Sequence, residues 1–213
     1  MTNGDVIEAI HSPLDLGKDL LDHTNWTKAR PIKLTRYWSG DQAPLGRHTE
    51  ARILWSDQAL FVRFDCNQTE PLIVSSSPQT LKKTIGLWER DVCEIFVAPD
   101  PDNPNRYFEF EVAPTGEWLD LAIHVTKTGR ETDWGFHSDM TAAARVTKER
   151  VLVAMRIPWD DWIHRPNRGE RWRVNLFRCV GQGEDRGYLT WRPTRTAQPN
   201  FHVPEAFGWL RFA

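Results

Sequence analysis

Residues 87–120 carry the pattern that most restricts the fold. Two segments, 92–97 and 107–112, are β-branched and aromatic runs, separated by a loop that holds Asp100, Pro101, Asp102, Asn103 and Pro104. Side chains alternate between faces along a strand, so Phe108, Phe110 and Val112 share one face while Tyr107, Glu109 and Glu111 share the other. A helical period would scatter both sets. The stretch therefore predicts a hairpin-like pair of strands with an extended connection. One face suits a core. The other holds Glu109 and Glu111, while Glu94 interrupts the first run and Trp88 stands just ahead of it. That is the composition of a sheet face that meets a polar ligand.

Similar periods recur along the chain. Segments 51–55 and 60–66 flank a polar turn at Ser56, Asp57 and Gln58, and segments 142–146 and 151–157 flank another at 147–150. Further strands are predicted at 32–35, 118–125, 171–180, 187–191 and 207–212. A short helix or turn is expected at 22–26 and another after Pro158, where proline suits a first helical position. Residues 126–139 read as a polar loop carrying Trp134 and Phe136, and residues 69–85 as a long crossing loop. Nothing repeats at a fixed period and no linker divides the chain. Many short strands with turn signals between them predict one all-β domain over residues 1–213, an antiparallel β-sandwich with at most one or two short helical turns.

Composition narrows the function classes. Net charge is −2 with both signs mixed along the chain, so no basic footprint points to nucleic acid or an anionic membrane surface. No apolar run approaches the ~20 residues of a membrane-spanning helix. The opening residues lack the basic and apolar regions of a secretory signal. A cytoplasmic location is the expectation for the sequence as given, and a secreted or periplasmic one if a leader preceded it. Cys66, Cys93 and Cys179 are odd in number and lie in or at the ends of apolar runs, which predicts buried reduced thiols. Eleven tryptophans against three tyrosines are the outlier. Sandwich cores use tryptophan, and so do sugar binders, because the C–H face of a pyranose packs on a flat aromatic surface.

The segment Trp88, Glu89, Arg90, Asp91, Val92, Cys93, Glu94, Ile95, Phe96 resembles the W-x-x-D-x-[VC]-E-[IV]-F motif of family 9 carbohydrate-binding modules. Pro204 to Leu210 resembles the P-x-x-F-G-x-L closing strand of the same family, and Trp26, the 51–66 hairpin, Ile157-Pro158-Trp159 and Trp172-Arg173-Val174-Asn175 fit its order of elements. The resemblance implies a DOMON-like sandwich that binds oligo- or polysaccharide, chain ends included, in a slot between aromatic walls, without catalysis. It implies Trp88 as one wall, Phe201 in place of the second, and Glu94 as a hydrogen-bond partner of sugar hydroxyls. His202 stands beside Phe201, and Glu109 and Glu111 fall where the family uses arginine and asparagine. Structural calcium occurs in the family, and an acidic loop such as that of Asp100 and Asp102 is a candidate for it; no other cofactor is implied. The sequence does not specify the sugar, the calcium ligands or the oligomeric state.

Each feature also has a plainer explanation. Glu94 could pair with Arg90 or Arg178, Glu109 and Glu111 could form a solvated face, Phe201 could plug the core, and the sandwich could serve protein interaction alone. Hydrolysis needs two carboxyl groups ~5–9.5 Å apart, and Glu109 and Glu111 would stand ~7 Å apart along a strand. Against an enzyme stands the resemblance to a binding module. Haem held by Met155 with His124 or His137 lacks any ligand spacing. There is no zinc pattern, phosphate loop or nucleophile elbow.

Overall fold

A computed structural model describes residues 6–17 and 19–213 and turns these periods into a two-layer β-sandwich. The first layer orders its strands as β14 (Gly208–Phe212), β12 (Arg171–Val180), β6 (Val92–Ala98), β7 (Arg106–Val112), β8 (Trp118–Thr126) and β9 (Gly129–Asp133). On the β14 side of β12, β13 (Gly187–Thr190) continues the edge and is itself flanked by β3 (Arg36–Tyr37). The second layer runs β10 (Thr141–Val146), β11 (Arg150–Pro158), β5 (Ala59–Asn67) and β4 (Thr49–Trp55), with β2 (Ile32–Leu34) alongside the start of β4.

Strand β1 (Val6–His11) joins the layers. Its residues 6–9 pair parallel with β14, and then Ile10 and His11 pair parallel with Leu54 and Trp55 of β4. The other described pairings are antiparallel. A parallel strand needs a long connection rather than a tight turn, which is why this strand gives no hairpin signal.

The alternation in β7 decides where the core lies. Phe110 and Val112 join Ile95, Val97, Trp172, Val174 and Leu176 between the layers, packed against Ile53, Val62, Phe64, Val153 and Met155 from the other sheet. Each fully buried side chain of this kind stabilises the fold by about 1.5–3 kcal/mol relative to exposure. Cys66 and Cys93 also lie between the layers as free thiols, with their sulfurs 3.5 Å apart. One cation is buried there too. Arg178 of β12 donates through Nη1 to the carbonyls of Arg47 and Asn67 and to Thr49 Oγ1, and through Nη2 to Gln68 Oε1.

Two local expectations change. Pro158 ends β11 instead of starting a helical turn, and the chain beyond it is held by Asp160 Oδ1, which accepts from the N–H groups of Trp162 and Ile163. Helical structure among the described residues consists of five short 3-10 turns, Thr24–Lys28 being the longest, in place of the one or two expected. The polar stretch read as a loop contains β9, an exposed edge strand with no apolar alternation to reveal it.

Candidate functional site

The outer face of the first layer is unusual for a sandwich because much of it is covered. Phe96, Tyr107, Leu119, Leu121, Ile123, Phe177 and Cys179 point outward, and Phe201, Phe207, Tyr188 and Trp88 pack on them as a second apolar cluster. Between sheet and cover lies a cleft of about 550 Å³. Glu94, Phe96, Glu109, Leu121 and Ile123 form its floor, and Arg186 with Tyr188 and Arg130 with Thr132 flank it.

Trp88 and Trp134 stand together in the cleft lining. Their ring centroids are 6.2 Å apart at 42°, which is aromatic contact, so the two form one continuous wall with no room for a sugar between them. Trp88 is placed by its own neighbours. Gly86 adopts φ +81°, which L side chains avoid, and Leu87 is buried directly after it. Arg186 Nη2 then donates to the carbonyls of Trp88 and Arg90, and Asp91 Oδ1 accepts from Gly181 N–H. Gly86→Ala is expected to cost about 1–2 kcal/mol through left-handed strain, measured by urea unfolding; an unchanged midpoint would show that the turn relaxes freely.

Trp134 belongs to the turn after β9. Asp133 Oδ1 accepts from Gly135 N–H, and Phe136 is buried in the main core. Asp120 of β8 fastens the far side of this turn: its Oδ2 accepts from both the N–H and the hydroxyl of Ser138, while Lys83 Nζ donates to Oδ1. Lys83 also donates to the carbonyl of Phe136.

Phe201 and His202 line the cleft from the cover, beside Pro199 and Asn200. Phe201 is 8% exposed and stacks flat on Phe177 at 4.1 Å, so most of its ring is engaged below. His202 Nδ1 lies 2.7 Å from the Tyr107 hydroxyl. Burial raises Tyr107 and lowers His202 to about 3, aided by the positive charge of Arg130, so both groups stay neutral at neutral pH and one uncharged hydrogen bond joins them. A neutral ring makes no ion pair with Glu109, 3.9 Å away.

The three glutamates converge. Glu94 and Glu111 face each other across β6 and β7, Glu109 is two residues along, and each puts one oxygen within 4.8 Å of the others. Exposure is 2% for Glu94, 3% for Glu109 and 0% for Glu111. Burial raises all three carboxyls, with mutual repulsion adding to the rise at Glu94 and Glu111. Glu94 Oε1 receives the Cys179 thiol at 3.4 Å, whereas neither oxygen of Glu111 and not Oε2 of Glu109 has a hydrogen-bond partner. The solvated-face explanation does not hold for these residues. Nor do the suggested partners of Glu94: Arg90 lies 3.8 Å from Glu117, and Arg178 points between the layers.

The structure thus places Trp88, Glu94, Glu109, Phe201 and His202 in one cleft lining, while Glu111 lies beneath the floor. Trp134, Arg130, Arg186, Tyr188 and Asn200 also line it, though the sequence did not single them out as site residues. For Trp134 a signal existed: a tryptophan beside Gly135 in an otherwise polar stretch. Asp100 and Asp102 form a self-contained exposed turn, in which Asp100 Oδ1 accepts from Asp102 N–H. Met155 is buried in the main core, and His124 and His137 neighbour Glu131 and Asp120.

Comparison with known proteins adds to this geometry. A family profile described as carbohydrate family 9 binding domain-like matches residues 20–213. An extracellular protein of the fungus Arthroderma benhamiae is 24% identical over 187 residues, 81% of each chain. A candidate carbohydrate-binding protein from Bacteroides uniformis superimposes with a TM-score of 0.70 at 18% identity, over 98% of this chain and 99% of its own. A family 9 carbohydrate-binding module from Caldicellulosiruptor kristjanssonii in complex with cellotriose gives 0.64 at 16% identity, over 97% and 93% of the two chains. The same organism's module with glucose gives 0.64 at 15%, over 98% and 95%.

Proposed function

Because the chain belongs to the carbohydrate family 9 binding domain-like family, we propose that the outer-face cleft is its carbohydrate site and that it binds without cleaving. The observation that carries this reading is the Trp88–Trp134 wall, which stands beside polar groups aimed into the same space. A pyranose ring offers an apolar face for such a wall and a rim of hydroxyls for hydrogen bonds. Glu94 and Glu109 would accept from hydroxyls, and Arg130 and Asn200 would donate to them. Phe201 and His202 would close the far end, so that Phe201 acts as a stop more than as a second stacking platform.

The carboxylate arrangement argues against hydrolysis. A glycosidase holds its acid and its base or nucleophile on opposite sides of the scissile bond, ~5–9.5 Å apart. Here the carboxylates crowd together on one floor, and Glu111 is shut beneath it. The Caldicellulosiruptor complexes make β-linked glucose units the first ligands to test. An extracytoplasmic setting fits the Arthroderma relative better than the cytoplasm expected from the opening residues. One main core shared by both layers and a match over residues 20–213 fit a single domain.

Titration calorimetry with glucose, cellobiose, cellotriose and xylo-oligosaccharides tests the reading. A saturable heat is expected, and Trp88→Ala should weaken it at least tenfold, about 1.4 kcal/mol. A flat trace across the whole panel would sink it and bring a protein-interaction role forward.

A further inference from the structure

We propose that Glu94, Glu109 and Glu111 form a binding site for a hard divalent cation such as calcium at the cleft floor. The donor set is oxygen only, drawn from two adjacent strands that hold it in register. One oxygen from each lies within 4.8 Å of the others, close enough for a single ion to reach all three, and an all-oxygen donor set suits calcium or magnesium better than zinc.

Glu111 points to an occupant. It is fully buried, no N–H, hydroxyl or thiol reaches either of its oxygens, and a proton shared with Glu109 is the partner that remains. A buried, unpaired carboxylate is costly and persists only with compensation. The nearby guanidinium groups do not supply it. Arg186 spends its donors on the carbonyls of Gly181, Trp88 and Arg90. Arg130 is exposed at the rim, and among the described residues no ion pair joins it to the three glutamates.

Size narrows the choice further. Glu94 and Glu109 line the cleft whereas Glu111 does not. A cationic group carried on a sugar would meet the first two and stop short of the third. A bare ion can sit among all three. A shared proton bridges two carboxylates at most, as between Glu109 and Glu111, whereas a divalent cation takes one oxygen from each of the three together. The side of the ion facing the cleft would take water or ligand hydroxyls to complete a shell of ~6–8 oxygens.

The test needs no sugar, so its outcome is separate from that of the binding panel. Protein stripped with a chelator at neutral pH is titrated with calcium, magnesium and zinc chlorides while the melting temperature is followed. Terbium luminescence sensitised by tryptophan reports the site directly, since Trp88 and Trp134 share the cleft. Calcium should raise the melting temperature saturably and displace terbium. Glu111→Gln, nearly isosteric, should remove both responses and raise the melting temperature of the stripped protein. Glu109→Gln should weaken the response, and Asp100→Asn should leave it intact. The proposal is overturned if no divalent cation moves the melting temperature, or if Glu111→Gln responds as the parent does. It is also overturned if the stripped protein is stabilised only by lowering the pH, with protons as the sole occupants.

Discussion

Arg178→Met is expected to destabilise the protein by about 3 kcal/mol or more, because it orphans several buried acceptors at roughly 1–3 kcal/mol each. Arg178 leaves β12 and bonds to residues at the ends of β4 and β5, so one side chain ties the two sheets. Methionine matches much of its volume, so the loss would come from polar groups more than from a cavity. The carbonyls of Arg47 and Asn67, Gln68 Oε1 and Thr49 Oγ1 would all lose a donor, the latter two in buried side chains. Arg178→Lys should recover little, since one ammonium lacks the planar fork that reaches both acceptor groups. Urea unfolding of the three proteins decides the matter. A loss below about 1 kcal/mol for methionine would mean that the acceptors find water.

Much of the fold is legible because a strand period of two separates inside from outside. Phe110 and Val112 against Glu109 and Glu111, and Trp172, Val174 and Leu176 along β12, put each side chain on the face that alternation predicts. The strands missed are those without such a contrast. Strand β9 is an exposed, polar edge, β3 has two residues, and β1 leaves one layer for the other halfway along.

The site is less legible because register and cover decide it. Glu94 and Glu111 become cross-strand neighbours only when β6 and β7 pair in one register, and a shift of one residue would send them to opposite faces. An outward glutamate normally implies contact with water. Here Tyr188, Phe201 and Phe207 fold over that face from segments far later in the chain, and burial reverses the expectation. Trp134 reaches Trp88 through a turn whose fastening, Asp120 with Ser138, links residues eighteen apart.

That fastening carries the other large effect. Asp120→Ala is expected to cost about 2–4 kcal/mol in urea unfolding, somewhat less than the loss of one partner from a fully buried ion pair, because Lys83 is partly exposed and recovers some hydration. Ser138 would lose the acceptor for both its N–H and its hydroxyl, and Lys83 would keep only carbonyl contacts. The same change should also weaken cellotriose binding, although Asp120 does not line the cleft, because the turn that presents Trp134 loses its anchor. Trp134→Ala provides the comparison. Its ring is 48% exposed, so it should leave stability within about 1 kcal/mol of the parent while reducing affinity. If Asp120→Ala loses stability and keeps full affinity, Trp134 is held by its own packing against Trp88 and the anchor serves the sandwich alone. If both properties fall in Asp120→Ala and only affinity falls in Trp134→Ala, the anchor acts on the ligand through the position of one tryptophan.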